Sequence, residues 1–123
     1  MNAKKQVVIA DDNKELCELV KDILEDRGYE VAMAGDGYEL LAYLAEHNPL
    51  VIILDLMMPH KDGMAVFNSV RQLVPYAHII IYTGYEEFSG SIYARKADRF
   101  LLKGADIEEL ITAVDELCGN DVS

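Results

Sequence analysis

Asp55 closes the apolar run Leu50-Val51-Ile52-Ile53-Leu54 and is followed at once by Leu56-Met57-Met58-Pro59. A run without a polar side chain reads as a strand buried on both faces. A carboxylate at its end lies at the rim of a hydrophobic core, which is costly unless something there uses the charge. Three more runs end in the same manner. Val7-Val8-Ile9-Ala10 leads into Asp11-Asp12, Ile79-Ile80-Ile81-Tyr82 into Thr83-Gly84, and Phe100-Leu101-Leu102 into Lys103. If the four runs are parallel neighbours, three carboxylates, a hydroxyl and an ammonium converge on one edge. Crowded carboxylates call for a cation. Mg2+ suits them: it takes one or two carboxylates, keeps several waters and often holds a phosphate oxygen. An aspartate can also attack phosphorus and form an acyl phosphate, a transfer that needs mainly positioning and charge neutralisation. The set reads as a phosphoryl acceptor. Asp55 is the nucleophile, Asp11 and Asp12 hold the metal, and Thr83 and Lys103 hold the phosphoryl group.

Each feature also has an ordinary reading. Asp-Asp-Asn before a helix is a common N-cap, Thr-Gly a turn, a lone Lys at a strand end a solvated charge, and Asp55 a cap for its own loop. The functional reading rests on their joint arrival at the ends of four different strands.

The elements that must position these residues alternate strictly. The first strand is predicted over about residues 5–10 and the first helix over roughly 14–27, with Leu16, Leu19, Val20, Ile23 and Leu24 at helical spacing and Gly28 as the stop. The second strand runs from Glu30 to Ala34, and the second helix from an Asp36/Glu39 capping box to about His47. After the Asp55 strand, Met58-Pro59-His60-Lys61-Asp62-Gly63 reads as a loop. A third helix is predicted over about 64–72 and a fourth strand over 78–82. The fourth helix, about 86–95, carries Ser89-Gly90-Ser91 in its middle, and a helix-interior Gly costs about 1 kcal/mol relative to Ala. Its Glu86/Glu87 start, its Arg95/Lys96 end and a Phe88/Ile92 pair still favour a helix, expected to be marginal. A fifth strand over 98–102 precedes a helix capped by Asp106 with Glu109, running to Cys118 and stopped by Gly119. Such alternation implies an α/β fold, a parallel sheet with helices on both faces. Ligands in such sheets bind beyond the carboxyl ends of the strands, where Asp11, Asp12, Asp55, Thr83 and Lys103 fall.

The chain has 123 residues, 51% hydrophobic, enough for one core and one domain. Its net charge of −11 argues against binding nucleic acid or an anionic membrane and for protein partners with basic or apolar patches. Cys17 and Cys118 stand far apart with no CxxC pair, and His47, His60 and His78 are scattered, so neither disulfide scaffold nor zinc site is expected. With no signal-like apolar segment, a cytoplasmic location is expected.

At the residues quoted, the chain resembles the receiver domain of bacterial two-component response regulators. The matching pieces are Val8-Ile9-Ala10-Asp11-Asp12-Asn13, Asp55-Leu56-Met57-Met58-Pro59 with Asp62-Gly63, Thr83-Gly84, and Phe100-Leu101-Leu102-Lys103, in order and across essentially the whole chain. The resemblance implies the flavodoxin-like strand order 2-1-3-4-5, as in chemotaxis regulators. It implies that Asp55 takes a phosphoryl group from a phosphohistidine on a sensor histidine kinase or histidine phosphotransfer protein. Asp12 would ligate Mg2+ directly, Asp11 mainly through water, and Asp55 and the Met57 carbonyl would be further ligands. Phe100 matches the aromatic switch position, and Thr83 would move toward the phosphoryl group. A downstream protein would dock on the face made by helix four, strand five and helix five. No output domain follows in this sequence, so a stand-alone receiver is expected.

Three departures stand out. The family's usual Lys-Pro after strand five is Lys103-Gly104 here, where a trans bond or a locally flexible loop is expected because a cis non-proline bond costs about 2.5–4 kcal/mol. The usual Gly-Ala before strand five is Lys96-Ala97. The switch aromatic is Phe, without a hydroxyl. Met57 and Tyr85, each two residues past a site residue, are expected to flank the path of attacking water and slow hydrolysis.

The alternative is an unphosphorylated scaffold of the same fold. An aspartyl phosphatase of haloacid-dehalogenase type would carry a second acid where Met57 stands. A flavin mononucleotide carrier would need a first loop that welcomes phosphate, which Asp11-Asp12 repels.

Overall fold

Five short strands pair through their backbones in the order β2-β1-β3-β4-β5, all parallel. The computed structural model describes residues 4–58, 62–104 and 106–119. The strands are β1 (Gln6–Ala10), β2 (Glu30–Ala34), β3 (Val51–Leu54), β4 (His78–Thr83) and β5 (Arg99–Leu102). The helices are α1 (Lys14–Asp26), α2 (Gly37–Leu44), α3 (Gly63–Leu73), α4 (Ile92–Lys96) and α5 (Ile107–Leu117). The middle of the predicted loop at 59–61, His60 with it, and both chain ends lie outside the described residues.

The strands are apolar throughout because helices cover both sides. One face carries Val7, Ile9, Val51, Ile53 and Ile80 against Val20 and Leu24 of α1 and Leu110 and Val114 of α5. The other carries Val8, Ala10, Ile52, Leu54 and Ile81 against Leu40 of α2 and Val66, Phe67 and Val70 of α3. Alternation along each strand sends successive side chains to opposite faces. Cys17 and Cys118 are free and buried in the first of these clusters. No helix among the described residues is long and apolar enough to cross a membrane.

The predicted fourth helix is corrected. Residues Glu86–Gly90 form a 3-10 helix, and α4 is only five residues long, restarted by Ser91, whose hydroxyl accepts from the Ala94 N–H at 3.2 Å. Extended backbone at Ser91, with Gly90 before it, breaks the run. Phe88, in the 3-10 helix, packs on the core, while Ile92, at the start of α4, is 48% exposed. The second helix also ends earlier than expected, at Leu44, with His47 stacked on Tyr43 beyond it. Of the two capping boxes, the Asp36 carboxylate does accept from the Glu39 N–H at 2.9 Å, whereas that of Asp106 accepts from Glu108 rather than Glu109. His78, one of the scattered histidines, lies with Nδ1 3.2 Å from Asp98 Oδ1.

Candidate functional site

Parallel register brings the ends of β1, β3, β4 and β5 to one edge: Asp11, Asp55 and Lys103 directly follow β1, β3 and β5, and Thr83 is the last residue of β4. Ala10 pairs with Leu54, Leu54 with Ile81, and Thr83 with Leu102. Main-chain bonds extend that order one step further. The Asp55 N–H donates to the Ala10 carbonyl at 3.0 Å, the Asp11 N–H to that of Ala34 at 2.9 Å, and the Lys103 N–H to that of Thr83 at 2.8 Å.

The side chains then meet. The Lys103 Nζ lies 2.6 Å from Asp11 Oδ2 and 2.9 Å from Asp55 Oδ2. Asp11, Asp12 and Asp55 each offer a carboxylate oxygen within 4.8 Å of the others. Asp11 and Asp55 are buried and Asp12 is exposed, so the cluster opens to solvent on the Asp12 side. Three carboxylates and one ammonium leave two negative charges in excess. At this separation a buried like-charge pair repels by about 3–4 kcal/mol at an effective dielectric near 20. Hard oxygen donors with a surplus of two charges fit a hard divalent cation such as Mg2+.

The ordinary readings of these residues are answered locally. Asn13, not either aspartate, caps α1: its side chain accepts from the Leu16 N–H at 3.1 Å. Asp11 and Asp12 are thereby left to the cluster. The Asn13 N–H itself donates to Asp11 Oδ1 at 2.9 Å, and the Met57 N–H donates to Asp55 Oδ1 at 3.0 Å. Each buried carboxylate thus has one oxygen held by a backbone amide and the other by Lys103.

Electrostatics follow from burial and these bonds. Burial pushes Asp11 above the ordinary aspartate value, though the Lys103 ammonium and the Asn13 amide pull the other way. Burial alone would lower Lys103, but the hydrogen bonds its ammonium donates to Asp11 and Asp55 outweigh it and hold it above its usual value. Cys17, whose Sγ donates to the Asp11 carbonyl, is pushed up to about 11 by burial and the Asp11 charge. It stays a thiol at neutral pH and offers no competing nucleophile.

Thr83 is fully buried at the end of β4, its hydroxyl accepting from the Tyr85 N–H at 3.4 Å. Met57 and Tyr85 are exposed. Phe100 is half-buried and packs on the α2–α3 face. Among the described residues there is no cis peptide bond, and Gly104 has φ +93°, a backbone that a side chain rarely adopts. The trans alternative therefore holds at Lys103-Gly104.

Sequence reasoning assigned no role to Gly63. A Cβ there would lie 1.9 Å from the Leu56 carbonyl oxygen, so the start of α3 presses directly on the loop that leaves Asp55. The available signal was the Asp62-Gly63 pair closing that loop, with the Asp62 carboxylate accepting from the Met64 N–H at 3.0 Å.

Residues 7–115 match the family model described as the response regulator receiver domain. The chain belongs to that family. This receiver is similar to the response regulator protein TrrA of Thermotoga maritima, solved in complex with Mg(2+)-BeF, at 31% identity and TM-score 0.84 over 92% of this chain and 98% of that one. It is similar to a CheY-like receiver of Methanospirillum hungatei at 27% identity and TM-score 0.88, over 95% and 96% of the two chains. A transcriptional regulatory protein of Mycobacterium tuberculosis, TrcR, is 31% identical over 108 residues, covering 86% of this receiver and 42% of the relative. The receiver thus spans less than half the length of that relative. Receiver domains are phosphoacceptor signalling modules of two-component systems rather than conventional enzymes. The five-stranded order 2-1-3-4-5 expected of the family is the order found.

Proposed function

We propose that Asp55 accepts a phosphoryl group from a phosphohistidine of a sensor histidine kinase or histidine phosphotransfer protein, in a Mg2+-dependent step, and that the modified receiver then exchanges protein partners. The observation that carries this reading is the bridge from one ammonium, Lys103, to two buried carboxylates, Asp11 and Asp55, with Asp12 alongside.

In the transfer, an Asp55 carboxylate oxygen forms a bond to phosphorus while the bond from phosphorus to the imidazole nitrogen breaks, its electron pair returning to the ring. The Met57 N–H holds one Asp55 oxygen, which orients the carboxylate for in-line approach. Asp11 and Asp12, with the Met57 carbonyl, would hold Mg2+. When bound, that ion neutralises charge on the phosphoryl oxygens. Lys103, charged well past neutrality, can move its ammonium from Asp55 to a phosphoryl oxygen. Thr83 exchanges its bond to the Tyr85 amide for one to the phosphoryl group. Phe100, lacking a hydroxyl, responds through burial alone. The docking face runs over α4, β5 and α5.

Met57 and Tyr85, 47% and 44% exposed, flank the water path as two side chains unable to activate water. The acyl phosphate is therefore expected to last minutes or longer, and a lifetime of seconds with Mg2+ present would contradict that part.

Intact-mass analysis after incubation with acetyl phosphate tests the acceptor. An added phosphoryl mass that needs Mg2+ and vanishes in Asp55→Ala is the expected result. An adduct that survives in Asp55→Ala would move the site elsewhere.

A further inference from the structure

Segment 86–98 is held unequally at its two ends. No residue of the 3-10 helix or of α4 is buried. The backbone of the early part makes local turns, Phe88 N–H to the Tyr85 carbonyl at 3.2 Å and Ser91 N–H to that of Phe88 at 3.0 Å, and its Phe88 side chain rests on the core by apolar packing. The late part is tied to two other elements. Arg71, in the last turn of α3, donates through Nη2 to the Lys96 carbonyl at 3.2 Å and to Asp98 Oδ2 at 3.3 Å, and through Nη1 to the Ala77 carbonyl at 2.8 Å. Asp98 Oδ2 also accepts from the Ile79 N–H at 2.8 Å, and the Asp98 N–H donates to the Ile79 carbonyl at 2.9 Å.

Between the two ends lies a contact of a different kind. The Tyr93 ring meets the Phe67 ring edge-on, centroids 5.4 Å apart, and the Arg71 guanidinium sits 5.8 Å from that same Phe67 ring. Hydrogen bonds fix direction. An edge-to-face ring contact tolerates rotation and sliding within a broad range of geometries. The Lys96–Asp98 end is therefore directionally fixed, and Tyr93 meets Phe67 through a less directional ring contact.

We infer that Arg71 and Asp98 form a pivot that pins the C-terminal end of α4. Loading of the site through Thr83 then moves the 3-10 helix and the start of α4 about that point. The inference rests on the phosphoacceptor reading only for its trigger; the pinning belongs to the resting protein. Arg71 and Asp98 touch none of the reacting groups. Their role is to confine motion to the half of the segment that leads directly from Thr83.

Residue-resolved amide exchange tests the pivot. In the resting protein, the Ala97 and Asp98 amides are expected to exchange about tenfold more slowly than those of Phe88 and Ser91. Adding beryllofluoride with Mg2+ is expected to change exchange over 83–93 and leave Ala97 and Asp98 alone. Arg71→Met is expected to raise exchange at Ala97 about tenfold while Ile80, in the central sheet, stays unchanged as the check on global stability. Asp98→Asn, which keeps the shape and an acceptor for Ile79, should move Ala97 in the same direction by less. Ala97 exchanging as fast as Ser91 in the resting protein overturns the pivot. So does a loaded protein in which Ala97 and Asp98 speed up as much as Ser91. If beryllofluoride alters no amide, the trigger and the phosphoacceptor reading fall, while the resting gradient still decides the pinning.

Discussion

Two places in this molecule bury carboxylates, and the fold treats them in opposite ways. Asp115, 1% exposed on α5, meets the Arg27 guanidinium and the Tyr29 hydroxyl, so its charge is matched and its oxygens are occupied. At the carboxyl edge of the sheet, Asp11 and Asp55 share one ammonium, with the carboxylate of Asp12 alongside. A charge that only has to be buried is neutralised on the spot, because leaving it unpaired is expensive. A cluster left short of positive charge stores an affinity for a cation. Among the described residues the buried polar side chains are Asp11, Asp55, Thr83 and Asp115, so all but the neutralised one belong to the candidate site.

The contrast can be broken most directly at Asp12. Mg2+ at about a hundred times its dissociation constant should stabilise the wild type by about 2.7 kcal/mol. Asp12→Asn should lose most of that shift yet melt no lower than wild type without metal, because it removes a repelling charge. Thermal melts with and without Mg2+ decide it, and an undiminished metal shift would remove Asp12 from the site. Asp115→Ala should behave in the reverse sense. It strips Arg27 and Tyr29 of their shared acceptor and should cost about 1–3 kcal/mol in urea unfolding. Its Mg2+ shift and phosphoryl yield should match wild type; a loss of either would join the two clusters functionally.

Gly104→Ala falls between the two, touching both stability and site. Its φ of +93° should make the substitution cost about 1–2 kcal/mol. The shifted backbone beside Lys103 should slow phosphorylation measurably in a timed acetyl phosphate assay. Unchanged stability with unchanged rate would show that this loop relaxes freely.

The smallest effect is expected at Asp98, a paired but partly exposed carboxylate. Burial raises its pKa, but the Ile79 amide, His78 and Arg71 outweigh burial and hold it below the ordinary 3.8. A depressed folded value means that the unfolded chain binds the proton first as pH falls. Its stabilisation is fully present above about 3.8 and is lost as pH drops through the lower folded value. Asp98→Asn should flatten the acid limb of a stability-against-pH curve and leave the neutral region nearly parallel to wild type.

Much of the architecture was legible because strands buried on both faces have no choice but to be apolar. Val7–Ala10, Val51–Leu54 and Ile79–Tyr82 announce themselves, and β-α alternation admits few topologies. The cluster was legible for the same reason: Asp11, Asp55 and Lys103 stand immediately past such strands, and parallel pairing must bring them together. Helix four was not, because end charges and the Phe88/Ile92 spacing argued for one helix while Gly90 in the middle of the run argued against it. Local propensity was balanced, and tertiary contacts of Phe88 and Tyr93 decided it. Asp115 was invisible as a buried charge, since its partner Arg27 lies 88 residues away.

The amino-acid sequence by itself determined which residues could carry the chemistry and that they would share an edge, since side-chain type is given and β-α alternation implies a parallel sheet whose strand ends lie together. Only the tertiary structure decided which of them are short of positive charge, that Asn13 takes the capping duty and frees Asp11 and Asp12, and that Gly63 lets α3 press against the Asp55 loop. Those outcomes depend on distances between segments remote in the chain. Hydrogen bonding and Coulomb energy change over an ångström or two, a scale that no spacing along the chain records.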